Sequence, residues 1–368
     1  MKRHFTVALA VLGIVTVPAF CAAQGTSVAP KYDPDATLAS KPANVVWGYI
    51  PVGVKPALTI TSGQTVRIET ISHQGLLTDK SPVAYFGAAG IPPGQVLEDA
   101  EEVYKTVTRP KGSSAHVLTG PIYVDGAEAG DLLEVRILKI EHRVPYGVNM
   151  SNKGSGVLPG LLSGPTPKVI KFDVDRKVAL FSDDVEIPLG PFMGIMAVAP
   201  PEQLGIVSSR PPSHWGGNLD FKRLVAGSTL YLPVFNKGAQ FYTGDAHAAQ
   251  GDGEVNGTAI EASQTPTLQF ILHKGKGKAM TWPRAEDAEH FYAMGLDVNL
   301  DVAMKHATQE VVDFLQREKG LSAADAYSLA SLAVDFHVGE AVDFVQMVYG
   351  AIPKKIFKKN PEYWLKGK

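Results

Sequence analysis

From Val45 to Trp282 glycine and proline cut the sequence into short pieces. Such spacing leaves little room for long helices and restricts this stretch to short strands joined by tight turns. Thr65-Val66-Arg67-Ile68-Glu69-Thr70-Ile71 alternates with period two, as a half-buried strand does. Leu133, Val135 and Ile137 repeat the pattern within 132–141, and Leu230, Leu232 and Val234 repeat it again. Each run follows a glycine turn: Ser62-Gly63-Gln64-Thr65, Ala129-Gly130-Asp131-Leu132 and Ala226-Gly227-Ser228-Thr229. Glycine supplies the positive φ such turns often need, and Asp131 reads as a turn residue. Asn236-Lys237-Gly238 predicts the tip of a hairpin.

After Arg284 the period changes. Leu300, Ala303, Met304, Ala307, Val311, Phe314 and Leu315 share one helical face, and Gly320 ends it. Ser322 and Asp325 open a second helix, with Ala326, Leu329, Ala330, Ala333 and Val334 turned inward. A third short helix is expected through Val342 to Val348, ending at Gly350 and Pro353. The expected class is α+β, predominantly β: a sandwich- or barrel-like body of short strands over 44–284, then a mainly helical portion over 285–368.

The N-terminus reads differently. Lys2 and Arg3 precede an apolar run from Phe5 to Phe20, followed by the small-residue exit Cys21-Ala22-Ala23. This predicts a signal peptide over 1–23 and export to the periplasm or medium. The run is shorter than the roughly 20 residues a membrane span needs, and Pro18 interrupts it. Residues 24–43, rich in Pro, Ala, Ser and Asp, read as a flexible lead-in. Processing would remove the single cysteine, Cys21, and with it any disulfide, thiolate nucleophile or Cys-based zinc site. It would also take two of the 35 basic residues, leaving 33 against 37 acidic ones, a net charge of −4. A strongly basic nucleic-acid binder is excluded as the default, and no later apolar stretch is long enough for an integral span.

The densest polar text is Gly244-Asp245-Ala246-His247-Ala248-Ala249-Gln250-Gly251-Asp252-Gly253-Glu254. In extended chain, Asp245 and His247 share a face, as do Asp252 and Glu254, and the residues between can turn. Two carboxylates and an imidazole suit Zn²⁺, Mn²⁺ or Fe²⁺, while a solvated acidic turn is the plainer alternative. Glycines here would let the backbone approach a ligand. His116 is a candidate ligand or acid–base group, or a structural histidine beside a strand. In Gly216-Gly217-Asn218-Leu219-Asp220, Asn218 is a candidate oxyanion donor and Asp220 a candidate metal ligand or orienting carboxylate; an Asx turn is the alternative. His73 stands at a strand end, where sites often lie, though a surface histidine is the plainer reading. The alternating Lys274, Lys276 and Lys278 read as solvated charge guarding a strand edge. Signatures of zincins, α/β-hydrolases, Walker loops and Rossmann folds are absent.

Several blocks together resemble the acetamidase/formamidase family: Leu118 to Asp131, Pro191 to Pro201, Gly216 to Asp220, Gly244 to Glu254 and Leu321 to Asp335, in that order. The resemblance spans about 45 to 360. It implies a β-rich fold, often in oligomers. It also implies metal-associated hydrolysis of formamide, acetamide or another short amide to carboxylate and ammonia. Zinc is the first candidate metal, with calcium the alternative. The site implied has Asp245, His247, His116 and Asp220 as metal ligands. Glu254 or Asp252 would carry the proton, and Asn218 would aid the oxyanion. The alternatives are an exported hydrolase of a different amide or ester, and a Ca²⁺-binding β-sandwich module without catalysis.

Overall fold

The computed structural model describes residues 33–359. The expected signal peptide, Cys21, residues 24–32 of the lead-in and the end of the lysine-rich tail lie outside those residues.

Two stacked sheets carry the molecule. The larger has nine strands, running from edge to edge as Ala36–Leu38, Thr65–Ile68, Gln264–His273, Leu132–His142, Thr229–Pro233, Arg284–Glu286, His290–Asp297, Gln346–Pro353 and Asp335–Glu340. The second has six: Gly216–Asn218, Phe192–Ala197, Phe241–His247, Val117–Val124 and Val45–Trp47, with Leu58–Ile60 added in parallel to Val117–Val124. A four-stranded sheet, Tyr146–Ser151 through Val185–Pro188, stands beside them. The alternation read in the sequence sets the packing. Leu133, Val135 and Ile137 point into the core between the two large sheets, where they meet Ile122, Met193, Met196 and Phe241. Glu134 and Arg136 take the opposite face and pair there at 2.6 Å. The arrangement is a sandwich; among the described residues the nine-stranded sheet has two free edges and does not close into a barrel.

The C-terminal helices cover the outer face of the larger sheet. Helix Leu300–Lys319 starts at Asn299, whose side chain accepts from the amides of Asp301 and Val302, and ends at Gly320 with φ 69°. Ala303, Ala307, Val311, Phe314 and Leu315 are buried, whereas Leu300 and Met304 at the outer margin of the expected face stay exposed. Helix Ala323–Ala333 is capped by Ser322, which accepts from the Asp325 amide.

Four expectations need correction. Ala36–Leu38 pairs with Thr65–Ile68, so the later part of the lead-in belongs to the sheet. The third C-terminal helix does not form: Asp335–Glu340 and Gln346–Pro353 pair antiparallel instead. Partnership with His290–Asp297 over eight residues outweighs a short helix of modest propensity. The portion after 285 thus carries three full strands beside its two helices. Finally, Asn236-Lys237-Gly238 is no hairpin tip. It carries the chain from one sheet to the other, and Asn236 Nδ2 donates to the Ala199 and Pro200 carbonyls. Two short helices, Pro82–Gly87 and Glu98–Thr106, interrupt the β body as well. Among the described residues no helix is long and apolar enough to cross a membrane.

Candidate active site

Strand Phe241–His247 is the spine of the site. Its Gly244 lies where a Cβ would fall 2.4 Å from the Val117 carbonyl oxygen, so this glycine lets two strands approach, not a ligand. At Asp245 the backbone turns left-handed, φ 52°. Asp220 (φ 43°) and Glu254 (φ 44°) do the same. Non-glycine residues in this region cost energy, and three in one cluster mark a site where geometry is imposed.

The side chains converge. His247 Nδ1 donates to Gln250 Oε1 at 2.9 Å, and Gln250 Nε2 donates to the Asp220 carbonyl at 2.8 Å. That contact leaves Nε2 as the free nitrogen. It lies 3.5 Å from Asp245 Oδ2 and 3.4 Å from Glu261 Oε2. His73 Nδ1 approaches Asp245 Oδ1 at 3.5 Å, and His116 Nε2 approaches Asp245 Oδ2 at 3.7 Å. Ser209 Oγ meets His116 Nδ1 at 3.1 Å from behind. Asp220 Oδ1 lies 3.7 Å from His247 Nδ1. Asn218 Nδ2 donates to Asp220 Oδ2 and to Asp343 Oδ2. Arg210 Nε donates to Asp343 Oδ1 at 2.9 Å.

The electrostatics follow from burial and crowding. Burial alone would depress the His247 imidazole, but the Glu261 and Asp245 carboxylates outweigh it and hold its pKa well above the ordinary value. Burial opposes ionisation of Asp245, yet His116 and His247 prevail and keep it well below the usual carboxylate range. Asp220 and Glu254 go the other way: burial pushes both well up, and neighbouring carboxylates add to it. Glu340, buried beside Asp343, is pushed up to about 8.

Among the described residues two groups offer three ligand atoms each within reach of one ion: His73, Asp245 and Glu261, and Asp220, His247 and Glu254. His73 Nδ1, Asp245 Oδ1, His247 Nε2, Glu261 Oε2 and Asp220 Oδ1 are all buried without a hydrogen-bond partner. Unpaired buried polar atoms are costly, and these, shared between two adjoining groups, fit a cation better than a protein contact. Imidazoles mixed with carboxylates suit a transition metal more than calcium.

Of the residues read from the sequence, Asp245, His247, Asp220, Glu254, His116 and Asn218 are brought together. Asp252 is not. Its carboxylate turns to Lys222 at 3.1 Å and to the Tyr349 hydroxyl at 3.1 Å, because Gly253 (φ 91°) reverses the chain between it and Glu254. Asn218 spends its amide hydrogens on two carboxylates, so it positions Asp220 and is not an oxyanion donor. His73 is buried, not on the surface. Lys274 is tied to Asp131 at 2.5 Å and is not merely solvated. Glu261, Glu340 and Asp343 were not anticipated. Glu261 is a lone acid in the small apolar run Ala259-Ile260-Glu261-Ala262, which is a usable signal. Glu340 and Asp343 flank and enter the stretch read as a helix.

The site lies on a cavity of about 480 Å³, walled by His73, His116, Asp220, Asp245, Glu254 and Glu261. A sandwich with a buried, carboxylate- and histidine-lined cavity of this kind defines a hydrolase-like class of site. The profile of the Acetamidase/Formamidase family matches residues 93–210 and 206–359, and the chain belongs to that family. It is 30% identical over 220 residues to the acetamidase of Mycolicibacterium smegmatis, covering 44% of this chain and 54% of that one. It thus spans about half the length of that curated relative. With the formamidase of Methylophilus methylotrophus it shares 24% over 322 residues, 67% of this chain and 78% of the other. The crystal structure of an acetamidase from Bacillus halodurans superposes with a TM-score of 0.72 at 28% identity, over 88% of this chain and 99% of that one.

Proposed function

We propose that the protein hydrolyses the C–N bond of a carboxamide, releasing carboxylate and ammonia, with a divalent cation, zinc first, held by His73, Asp245 and Glu261 beside His247. The observation that carries this reading is the set of unpartnered buried ligand atoms on His73, Asp220, Asp245 and Glu261, which line one cavity, with the unpartnered His247 Nε2 beside them. A cation bound there would supply Lewis acidity, acidifying water and polarising the amide carbonyl. Gln250 keeps the His247 proton on Nδ1, so Nε2 faces the reacting centre. Glu254, buried on the cavity wall, would take a proton from the attacking water and then pass that proton to the departing amine. Asn218 and Arg210 hold Asp220 and Asp343 in place behind it. Relatives named acetamidase and formamidase support short amides as first substrates.

The experiment is ammonia release from formamide and acetamide, before and after chelation and zinc return. Release that chelation stops and zinc restores is expected, and His247→Ala should lower it at least a hundredfold while the fold is kept. Full activity after exhaustive chelation, or in His247→Ala, would sink the assignment. Export is proposed alongside: N-terminal sequencing of the periplasmic or secreted protein should begin after Ala23. Oligomerisation, implied by the family resemblance, is read by light scattering.

A further inference from the structure

Formamide or acetamide fills only a small part of the cavity. A water occupies about 30 Å³ of liquid, and pockets of roughly 300–1,000 Å³ usually hold far larger ligands. The cavity here measures about 480 Å³. Its two ends differ in charge. The buried end carries Asp220, Asp245, Glu254 and Glu261. The exposed end carries two arginines, Arg109 and Arg210, with Phe344 and Leu77.

Both guanidinium groups are held in place. Arg109 donates from Nε to the Ser114 carbonyl at 3.1 Å and from Nη2 to the Ser113 carbonyl at 2.5 Å. Among the described residues no carboxylate lies within ion-pair distance of it, so its charge is uncompensated. Ser114 in turn reaches His116 at 3.4 Å, and His116 approaches Asp245 at 3.7 Å, which ties the Arg109 loop to the buried end of the cavity. Arg210 is fixed by Asp343 and stacks over the Phe344 ring at 4.3 Å. Phe344 is 68% exposed and left-handed at φ 67°, a costly conformation for a bulky residue that presents its ring at this end of the cavity. An arginine fork matches a carboxylate better than a lysine would.

We infer that the cavity takes an amide bearing a carboxylate on its far end, such as the monoamide of a short dicarboxylic acid, with Arg109 and Arg210 binding the carboxylate while the amide lies over the buried carboxylate–histidine cluster. This rests on the amide-hydrolase reading above. Hydrolysis would break the C–N bond, place the oxygen of water on the acyl carbon, and release ammonia and a dicarboxylate. No redox partner or second substrate is needed.

The test pairs two probes of equal length, succinamate and its neutral analogue succinamide. Their affinities are measured by calorimetry on the full protein, and ammonia release is followed in parallel. Succinamate should bind roughly tenfold tighter or more, as charge-assisted hydrogen bonds do. High salt should narrow the gap. Arg109→Gln and Arg210→Gln should each shrink it, and the double variant should close it. If Arg210→Gln fails to fold for want of its pair with Asp343, Arg109→Gln decides, since its recorded partners are backbone carbonyls only. Equal affinities in the wild type, or a gap that survives both substitutions, would overturn the inference. Ammonia from acetamide without an affinity gap would leave hydrolysis standing and remove carboxylate recognition. An affinity gap with no ammonia from any amide would do the reverse.

Discussion

Gly194 faces the ligand cluster without a side chain. A Cβ there would lie 2.5 Å from Asp220 Oδ1, 2.7 Å from the Asp245 carbonyl oxygen and 2.9 Å from His247 Cε1. Each of these belongs to a buried residue with little freedom to retreat. Gly194→Ala should therefore destabilise the fold by about 1–3 kcal/mol and weaken zinc affinity. Denaturant titration and a competitive zinc assay check this; wild-type zinc affinity would contradict it. Asp131 gives a pH-dependent case. Its carboxylate accepts from the amides of Gly275 (2.7 Å) and Glu128 (2.8 Å) and from Lys274. Burial raises its pKa, but Lys274 and the two amides outweigh burial and hold it below the ordinary value. A depressed carboxylate contributes stability above its unfolded pKa of about 3.9 and loses it as pH falls through the lower folded value. Asp131→Asn should cost about 2 kcal/mol at pH 7. The gap to wild type should shrink below about pH 4, in urea melts across pH. A constant gap would contradict the account.

Helix Leu300–Lys319 is bound to the sheet by close backbone approach and by a buried ion pair. A Cβ on Gly295 would stand 2.1 Å from the Ala307 amide nitrogen, so strand and helix touch directly at that point. One turn further, Glu310 Oε2 accepts from Arg284 Nη2 at 2.8 Å with both side chains almost fully enclosed. Removing one partner leaves the other charge buried. Glu310→Ala should cost about 3–5 kcal/mol. Replacing both Arg284 and Glu310 with leucine should recover much of that loss, because the desolvation penalty disappears with the charges. Chemical denaturation of the two variants discriminates. A double variant no more stable than the single one would show that the pair acts by some other means.

At the scale of the molecule, the site ties distant segments together. His73 precedes the first helices, Asp220 and His247 flank the second sheet, and Glu261 leads into strand Gln264–His273 of the first. A ligand that binds only the folded chain stabilises it by about 2.7 kcal/mol at a hundredfold excess over its Kd. Zinc should thus raise the melting temperature of the whole protein in one transition, and chelation should lower it. His247→Ala and Glu261→Ala should abolish most of the response. A zinc-independent melt would argue against a cation at this cluster.

Periodicity made the strands 65–68, 132–142 and 229–233 and both C-terminal helices legible, with the Gly320 stop and the Ser322 cap, because alternation, helical spacing and capping are local properties of the chain. It likewise brought forward Asp245, His247, Asp220, Glu254 and His116, whose residue types cluster in two short blocks and one isolated histidine. Three outcomes were not local. Gln346–Pro353 is a strand because it finds His290–Asp297 beside it. Asp252 leaves the site because Lys222 and the Tyr349 hydroxyl, from distant segments, engage its carboxylate. His73 and Glu261, 188 positions apart, meet at Asp245 because two sheets stack. Which side chains share a cavity depends on contacts between segments far apart in sequence, and only packing of the folded chain sets those.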